Sequence, residues 1–260
     1  MENNLFLILI IGHILADFVL QTDNIVNGKK ELKGTYFFLH WLHLFIVLVI
    51  GTHLFFNYKM VLILSSIISI IHVLLDFVKE IIVIRYKKRF SYKEEALNIV
   101  TFFIDQFVHI IVLITTWRVL TNMFSVIISQ QCLKIYNYIF PYGLLEIINS
   151  KTLTTIIVYL TVTFGGAIVV RLVIDQICGN LSNDQKRVGK YIGIFERALI
   201  LTIIIYNGAI ESVAFVLAAK SIARYKDLDN KEFSEYFLLG TLLSTLVAIT
   251  GGAILIRIFS

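Results

Sequence analysis

Residues 59–84 read KMVLILSSIISIIHVLLDFVKEIIVI, and the basic connection 85–96 follows with Arg85, Lys87, Lys88, Arg89 and Lys93. At a rise of roughly 1.5 Å per residue, such a run is long enough as a helix to cross a hydrocarbon core of about 30 Å. His72 and Asp76 stand inside it four residues apart, hence on one helix face. Similar apolar runs cover residues 4–22, 36–57 and 97–119, and then 152–178, 190–218 and 233–257. Hydrophobic residues make up 58% of the 260-residue chain, well above the share in a soluble domain. The chain therefore reads as an all-α polytopic membrane protein with about seven transmembrane helices; a membrane β-barrel would show short alternating segments instead.

Three segments follow from this reading. Residues 1–119 form a four-span half, 120–151 a connection, and 152–260 a three-span half. The connection is apolar in Phe124–Ile128 and Ile135–Leu145 but interrupted by Gln130, Gln131, Lys134 and Pro141. It reads as an interfacial or re-entrant helix, or as an eighth span. The first run begins Met1-Glu2-Asn3-Asn4, with no basic segment and no small-residue cleavage site, and so reads as a retained helix rather than a signal peptide. Cys132 and Cys178 are too few and too scattered for a disulfide framework or a cysteine metal motif, and read as packing residues.

Orientation follows the lysines and arginines. Connection 23–35 holds Lys29, Lys30 and Lys33, and connection 85–96 is the basic one above, whereas the turn near Asn57–Lys59 holds a single lysine. Both basic connections are expected on the cytoplasmic side, with the N-terminus outside. The net charge of +5 lies largely in such connections, so it implies no nucleic-acid partner.

All six histidines lie within the first 109 residues. The strings His13-x-x-x-Asp17, His40-x-x-His43, His72-x-x-x-Asp76 and Asp105-x-x-x-His109 fall one to each of the first four spans. Because antiparallel spans reverse direction, depth is counted from the cytoplasmic end of each. All four motifs then lie about 6–18 Å from that boundary. Ionisable groups within spans are costly and mark functional sites by default. A shared depth in four adjacent spans points to a single metal site.

Neutral imidazole and carboxylate suit a divalent metal: zinc first, with iron or manganese as alternatives, as one ion or as two bridged by a carboxylate. The expected ligands are His13, Asp17, His72, Asp76 and His109. Asp105 and His43 are the expected general base or supporting groups, and His40, closest to the interface, is a marginal member. His53 lies off this layer, and Gln21, one turn past Asp17, would line the cytoplasmic mouth. A bound metal lowers the pKa of its water toward 7 and polarises a carbonyl or phosphoryl oxygen. The chain carries no HExxH, GxSxG or Walker A signature.

Beyond residue 120 there is no histidine. Instead the chain offers Arg171 and Asp175 four apart, Gly189-x-x-x-Gly193 followed by Glu196-Arg197, then Asn207-Gly208 and Glu211, and a helical continuation bearing Lys220 and Arg224. The glycine spacing permits close helix approach, within one chain or in a homo-oligomer. Arg197, Lys220 and Arg224 are candidates for binding a lipid phosphate or an acidic partner, and Lys220 and Arg224 equally for anchoring the helix end.

These residues resemble a family of bacterial multi-pass membrane proteins designated domain-of-unknown-function family 3307. In the N-terminal half the resemblance rests on His13-x-x-x-Asp17-Phe18-x-x-Gln21, His40-x-x-His43, His72-x-x-x-Asp76 and Asp105-Gln106-x-x-His109. In the C-terminal half it rests on Gly189-x-x-x-Gly193-x-x-Glu196-Arg197, the stretch Phe215–Arg224 and the stretch Glu235–Thr241. It implies a SatD-like soluble partner. The N-terminal half is also similar in style to YdjM-type membrane-bound metal-dependent hydrolases, which implies a reaction class by analogy.

The expected function is thus a membrane-embedded metal-dependent hydrolase acting on a lipid or lipid-linked substrate near the cytoplasmic leaflet. Two other classes use the same residues: a divalent-ion or proton-coupled transporter or channel, and a scaffold or sensor with a structural metal and a soluble partner. The lack of a second His/Asp set in the C-terminal half disfavours a transporter built on repeats.

Overall fold

The computed structural model describes residues 2–89, 94–124, 138, 148–178, 183–206 and 210–259. All secondary structure among them is helical, as expected where each backbone N–H and C=O must find a partner within its own segment. The chain divides into two compact units, Met1–Ile157 and Val158–Ser260.

The first unit opens with α1 (Glu2–Ile14), which runs into a π-turn at Leu15–Val19 closed by the Leu20 N–H donating to the Leu15 carbonyl (2.9 Å). The chain then breaks, and the short α2 (Asp23–Lys30) leaves at 85° to the first helix. Three long helices follow: α3 (Gly34–Thr52), α4 (Tyr58–Arg89) and α5 (Glu94–Met123). Leu9 and Ala16 from the first helix and its π-turn pack with Leu44 and Leu48 of α3, Ile68 of α4, and Leu113 and Leu120 of α5. Around this core the outer faces of α4 and α5 expose Ile67, Leu74, Ile82, Phe103, Ile104 and Phe107, the pattern of helices surrounded by lipid.

Gly28 is where α2 docks. A Cβ there would lie 2.0 Å from the Tyr36 ring, so only glycine lets the backbone rest on that face. The contact seats α2 beneath the bundle and turns the adjacent Lys29 inward.

The helix α6 (Ser150–Leu160) belongs to the first unit as far as Ile157; the second unit starts with its last turn, which continues through a second π-turn at Thr161–Gly165 into α7 (Gly166–Cys178). It is followed by α8 (Asn183–Ile205), α9 (Ile210–Ala223), a 3₁₀ turn (Tyr225–Asp229) and α10 (Lys231–Phe259). Its core joins Val162, Ile200, Leu201, Val213, Ala248 and Leu255. Arg197 is buried in this unit at 2% exposure. It donates from Nε (3.2 Å) and Nη2 (2.8 Å) to the Thr163 carbonyl in the π-turn, and from Nη1 to Ser244 Oγ (2.9 Å).

Among the described residues, five helical segments are long and apolar enough to cross a membrane: Gly34–Thr52, Tyr58–Lys88, Ala96–Met123, Ser150–Cys178 and Lys231–Ile258. The bent pair Asn3–Val19 plus Asp23–Lys30 makes a sixth if it counts as one span. Of the run expected at 190–218, the described residues form α8 as far as Ile205 and α9 from Ile210, and neither helix by itself meets that test. The sequence places Lys186, Arg187, Lys190, Glu196 and Arg197 in α8, which lowers its apolar character. Most of the connection 120–151, together with Cys132, Asn207 and Gly208, lies outside the described residues.

Gly28→Val should force α2 off Tyr36 and lower stability by about 1–3 kcal/mol, the usual cost of overpacking. Gly34→Val, where the space is open, serves as the control. Equal thermal unfolding of the two variants in detergent would contradict the docking role of Gly28.

Candidate metal centre

The first helix and its π-turn, with α3, α4 and α5, bring their polar residues to one place. The π-turn carries Asp17, and its extra residue per turn re-aims the side chains that follow His13. His13 Nδ1 lies 3.7 Å from Asp17 Oδ2. α3 contributes His40, which is completely buried, and α4 contributes His72 and Asp76. α5 contributes Asp105, Gln106 and His109. The rings are in contact: His72 and His109 have centroids 4.3 Å apart, and His13 stacks on His109 at 5.1 Å.

At the centre four atoms converge: His40 Nε2, His72 Nε2, Asp17 Oδ1 and Asp76 Oδ2. The two nitrogens are 2.9 Å apart. Asp17 Oδ1 is 3.3 Å from His40 Nε2 and 3.1 Å from His72 Nε2. Asp76 Oδ2 is 3.2 Å and 3.9 Å from the same two atoms. A tetrahedral ion with bonds of roughly 2.0–2.1 Å has donor–donor edges of about 3.3–3.4 Å, so these spacings fit the donor set of a small divalent metal. Despite its neighbours, Asp17 Oδ1 makes no aligned hydrogen bond.

Two further donor groups adjoin this one. His13, Asp17 and His72 form one, and Asp76, Asp105 and His109 form the other, each with ligand atoms within 4.8 Å of one another. Supporting hydrogen bonds set the histidine tautomers, because carbonyl oxygens only accept. His13 Nε2–H donates to Gln106 Oε1 (3.1 Å), leaving Nδ1 with its lone pair. His109 Nδ1–H donates to the Asp105 backbone carbonyl (2.8 Å), leaving Nε2 with its lone pair. Both lone-pair atoms are buried without a hydrogen-bond partner. Each faces a carboxylate oxygen, Asp17 Oδ2 at 3.7 Å and Asp76 Oδ1 at 3.9 Å. Acceptor opposes acceptor across these gaps, an arrangement that a cation between them would relieve.

Charge leads to the same requirement. Asp17, Asp76, Glu80 and Asp105 supply four carboxylates, and Lys29 and Lys79 supply two ammonium groups. With the imidazoles neutral, two negative charges remain in a largely buried cluster, where uncompensated charge is costly. One divalent cation, or two protons on the imidazoles, would balance them.

Lys29, Lys79 and Glu80 were not among the residues expected from the motifs, and Gln106 stood in the string Asp105-Gln106-x-x-His109 with no role assigned to it. Lys29, in α2, is buried and donates to Asp76 Oδ2 (2.7 Å). From sequence it reads only as part of a basic connection, because nothing local reveals that α2 folds back under the bundle. Gln21 links the parts: with its amide oriented to satisfy both atoms, it donates to the Asp17 carbonyl (3.1 Å) and accepts from Lys29. Lys79 lies 3.2 Å from Glu80, 3.6 Å from Asp105 and 3.9 Å from Asp76. Lys79 and Glu80 did carry a signal, being charged residues inside the run 59–84.

Two expected residues of α3 exchange roles. His43, one turn beyond His40, joins none of the three donor groups. His40, expected at the margin, is at the centre, because α3 directs it inward at the level where Asp17 and Asp76 meet. In the second unit Lys220 pairs with Glu196 (2.6 Å), Arg224 with Asp227 (3.1 Å), and Arg197 with Thr163 and Ser244.

The family described as "Protein of unknown function (DUF3307)" matches residues 5–138, which include every donor of this cluster. The chain belongs to that family. The C-terminal strings that resemble it lie outside the matched segment of this DUF3307 member. No curated protein and no solved structure matches the chain.

If the central four atoms hold a metal, His40→Ala and His72→Ala should each weaken binding of Zn²⁺ or Mn²⁺ by more than the roughly 10–100-fold typical of supporting residues. Equilibrium dialysis with elemental analysis checks this. Undiminished binding by His40→Ala would remove His40 from the ligand set.

Proposed function

We propose that this DUF3307 protein is a membrane-embedded metal-dependent hydrolase acting on a lipid or lipid-linked substrate from the cytoplasmic leaflet of the bacterial membrane. The observation that carries this reading is the placing of one oxygen each of Asp17 and Asp76 within 3.1–3.9 Å of both His40 Nε2 and His72 Nε2, themselves 2.9 Å apart, in the membrane-spanning bundle. In this reading those residues hold the metal, with zinc favoured by the mixed imidazole and carboxylate set. The bound ion would supply Lewis-acid polarisation of a carbonyl or phosphoryl oxygen and a more acidic water.

The remaining roles fall to the chain's own groups. Asp105 is the proton acceptor: its side chain is 10% exposed, against 0–6% for the four central donors, so it stands at the open edge of the cluster. Lys79, 28% exposed, positions that carboxylate. Gln106 and the Asp105 carbonyl fix the tautomers of His13 and His109, and Lys29 holds Asp76 in place. The cytoplasmic assignment rests on the basic connections, and the loose likeness to YdjM-type proteins supports the reaction class. On this orientation the N-terminus is outside.

A second reading, divalent-ion transport, rests on a different observation. The break between α1 and α2 puts an interrupted helix beside the cluster, and interrupted helices build ion sites in transporters.

The two readings separate in purified protein. Asp105→Asn should keep the ion held by His40, His72, Asp17 and Asp76 and lose about 10²–10⁴-fold of hydrolytic rate, the usual contribution of a general base. The assay is release of inorganic phosphate or free headgroup from vesicles of phosphatidic acid and phosphatidylglycerol. Mn²⁺ flux into proteoliposomes without any hydrolysis would favour transport, and absence of bound metal would sink both readings.

A further inference from the structure

Asp76 faces two ways. Its Oδ2 belongs to the central group with His40, His72 and Lys29, while its Oδ1 faces His109 Nε2 (3.9 Å) and Lys79 (3.9 Å). Asp105 completes that second group, with ligand atoms of all three residues within 4.8 Å. The acidic pair alone would not make a site. His109 adds the independent observation: its Nε2 is buried, carries the lone pair because Nδ1–H is donated to the Asp105 carbonyl, and has no hydrogen-bond partner. A buried lone pair held against a carboxylate oxygen is relieved by a positive charge between them.

Donor number supports this. His13, Asp17, His40, His72, Asp76, Asp105 and His109 surround the cluster, more groups than one four-coordinate ion uses. Lys79 partly occupies the second place, but its approaches to Asp76 and Asp105 exceed hydrogen-bond length. Its shortest contact is to Glu80, and it is the most exposed charged group of the cluster. It can keep Glu80 and release the two aspartates.

We infer that Asp76 bridges two divalent cations: a first held by His40, His72, Asp17 and Asp76 Oδ2, and a weaker second held by Asp76 Oδ1, His109 and one oxygen of Asp105, whose other oxygen remains the proton acceptor; the second ion binds together with a phosphate-bearing ligand. The anion follows from charge. Two divalent ions bring four positive charges against the two uncompensated negatives of the cluster, so the filled centre attracts an anionic group. This inference rests on the metal reading above and narrows its substrate class to phosphate esters.

The test uses the full chain in detergent, with Mn²⁺ as the metal probe and inorganic phosphate as the anion. Without phosphate, one tightly bound Mn²⁺ per chain is expected, with the six-line electron paramagnetic resonance spectrum of an isolated ion. With phosphate, a second Mn²⁺ should bind at least tenfold tighter than without it, and the spectrum should become that of an exchange-coupled pair. His109→Ala should keep the first ion, which also reports that the variant is folded, and lose the second ion and the coupling. Lys79→Met, which removes the competing ammonium, should tighten the second ion. One ion with an unchanged six-line spectrum at saturating Mn²⁺ and phosphate overturns the second site. Two coupled ions whose binding ignores phosphate overturn the anion linkage and with it the substrate class. No bound ion at all overturns the underlying metal reading instead.

Discussion

Taking a carboxylate out of water without a partner costs several kcal/mol even after relaxation, and four of them meet between the helices of the first unit. That cost accounts for most of what is unusual in this half of the molecule. The extra residue of the π-turn re-aims Asp17 toward His40 and His72. The chain then breaks, so that α2 can return beneath the bundle and deliver Lys29 to Asp76. Gly28 permits the approach that this delivery requires. Lys79 and Glu80 add one charge of each sign at the edge. Even so, with the imidazoles neutral the negative charges outnumber the lysines by two, a deficit that one divalent cation or two imidazole protons would balance.

The second unit handles the opposite problem with a similar device. A guanidinium is buried there, and Glu196, its neighbour in sequence, is engaged by Lys220. Arg197 relies on neutral partners instead: the Thr163 carbonyl in a π-turn and the Ser244 hydroxyl. Gly193 and Gly166 leave room for the group; a Cβ at either would come within 3.1–3.3 Å of its nitrogens. In both units a departure from regular helix coincides with a buried ionisable side chain. This is the expected association, because a π-turn changes where side chains and carbonyls point without leaving the helix.

The class of protein was legible in the sequence, because the run 59–84 and its counterparts are too long and apolar for a soluble fold. So was the participation of His13, Asp17, His72, Asp76, Asp105 and His109, through the four-residue spacing that puts pairs on one helix face. These are local properties: length, hydropathy and helical period depend on near neighbours in the chain, and solvation by lipid makes them decisive.

The tertiary structure decided how those residues divide. It placed His40 at the centre and left His43 outside, although both lie on one turn of α3. It recruited Lys29 from a connection that reads in sequence as an ordinary basic flank. Each of these outcomes depends on which helices face each other and on where a helix departs from regular geometry. Such contacts join residues dozens of positions apart, as Lys29 and Asp76 are, and a periodicity of three to four residues carries no information about them.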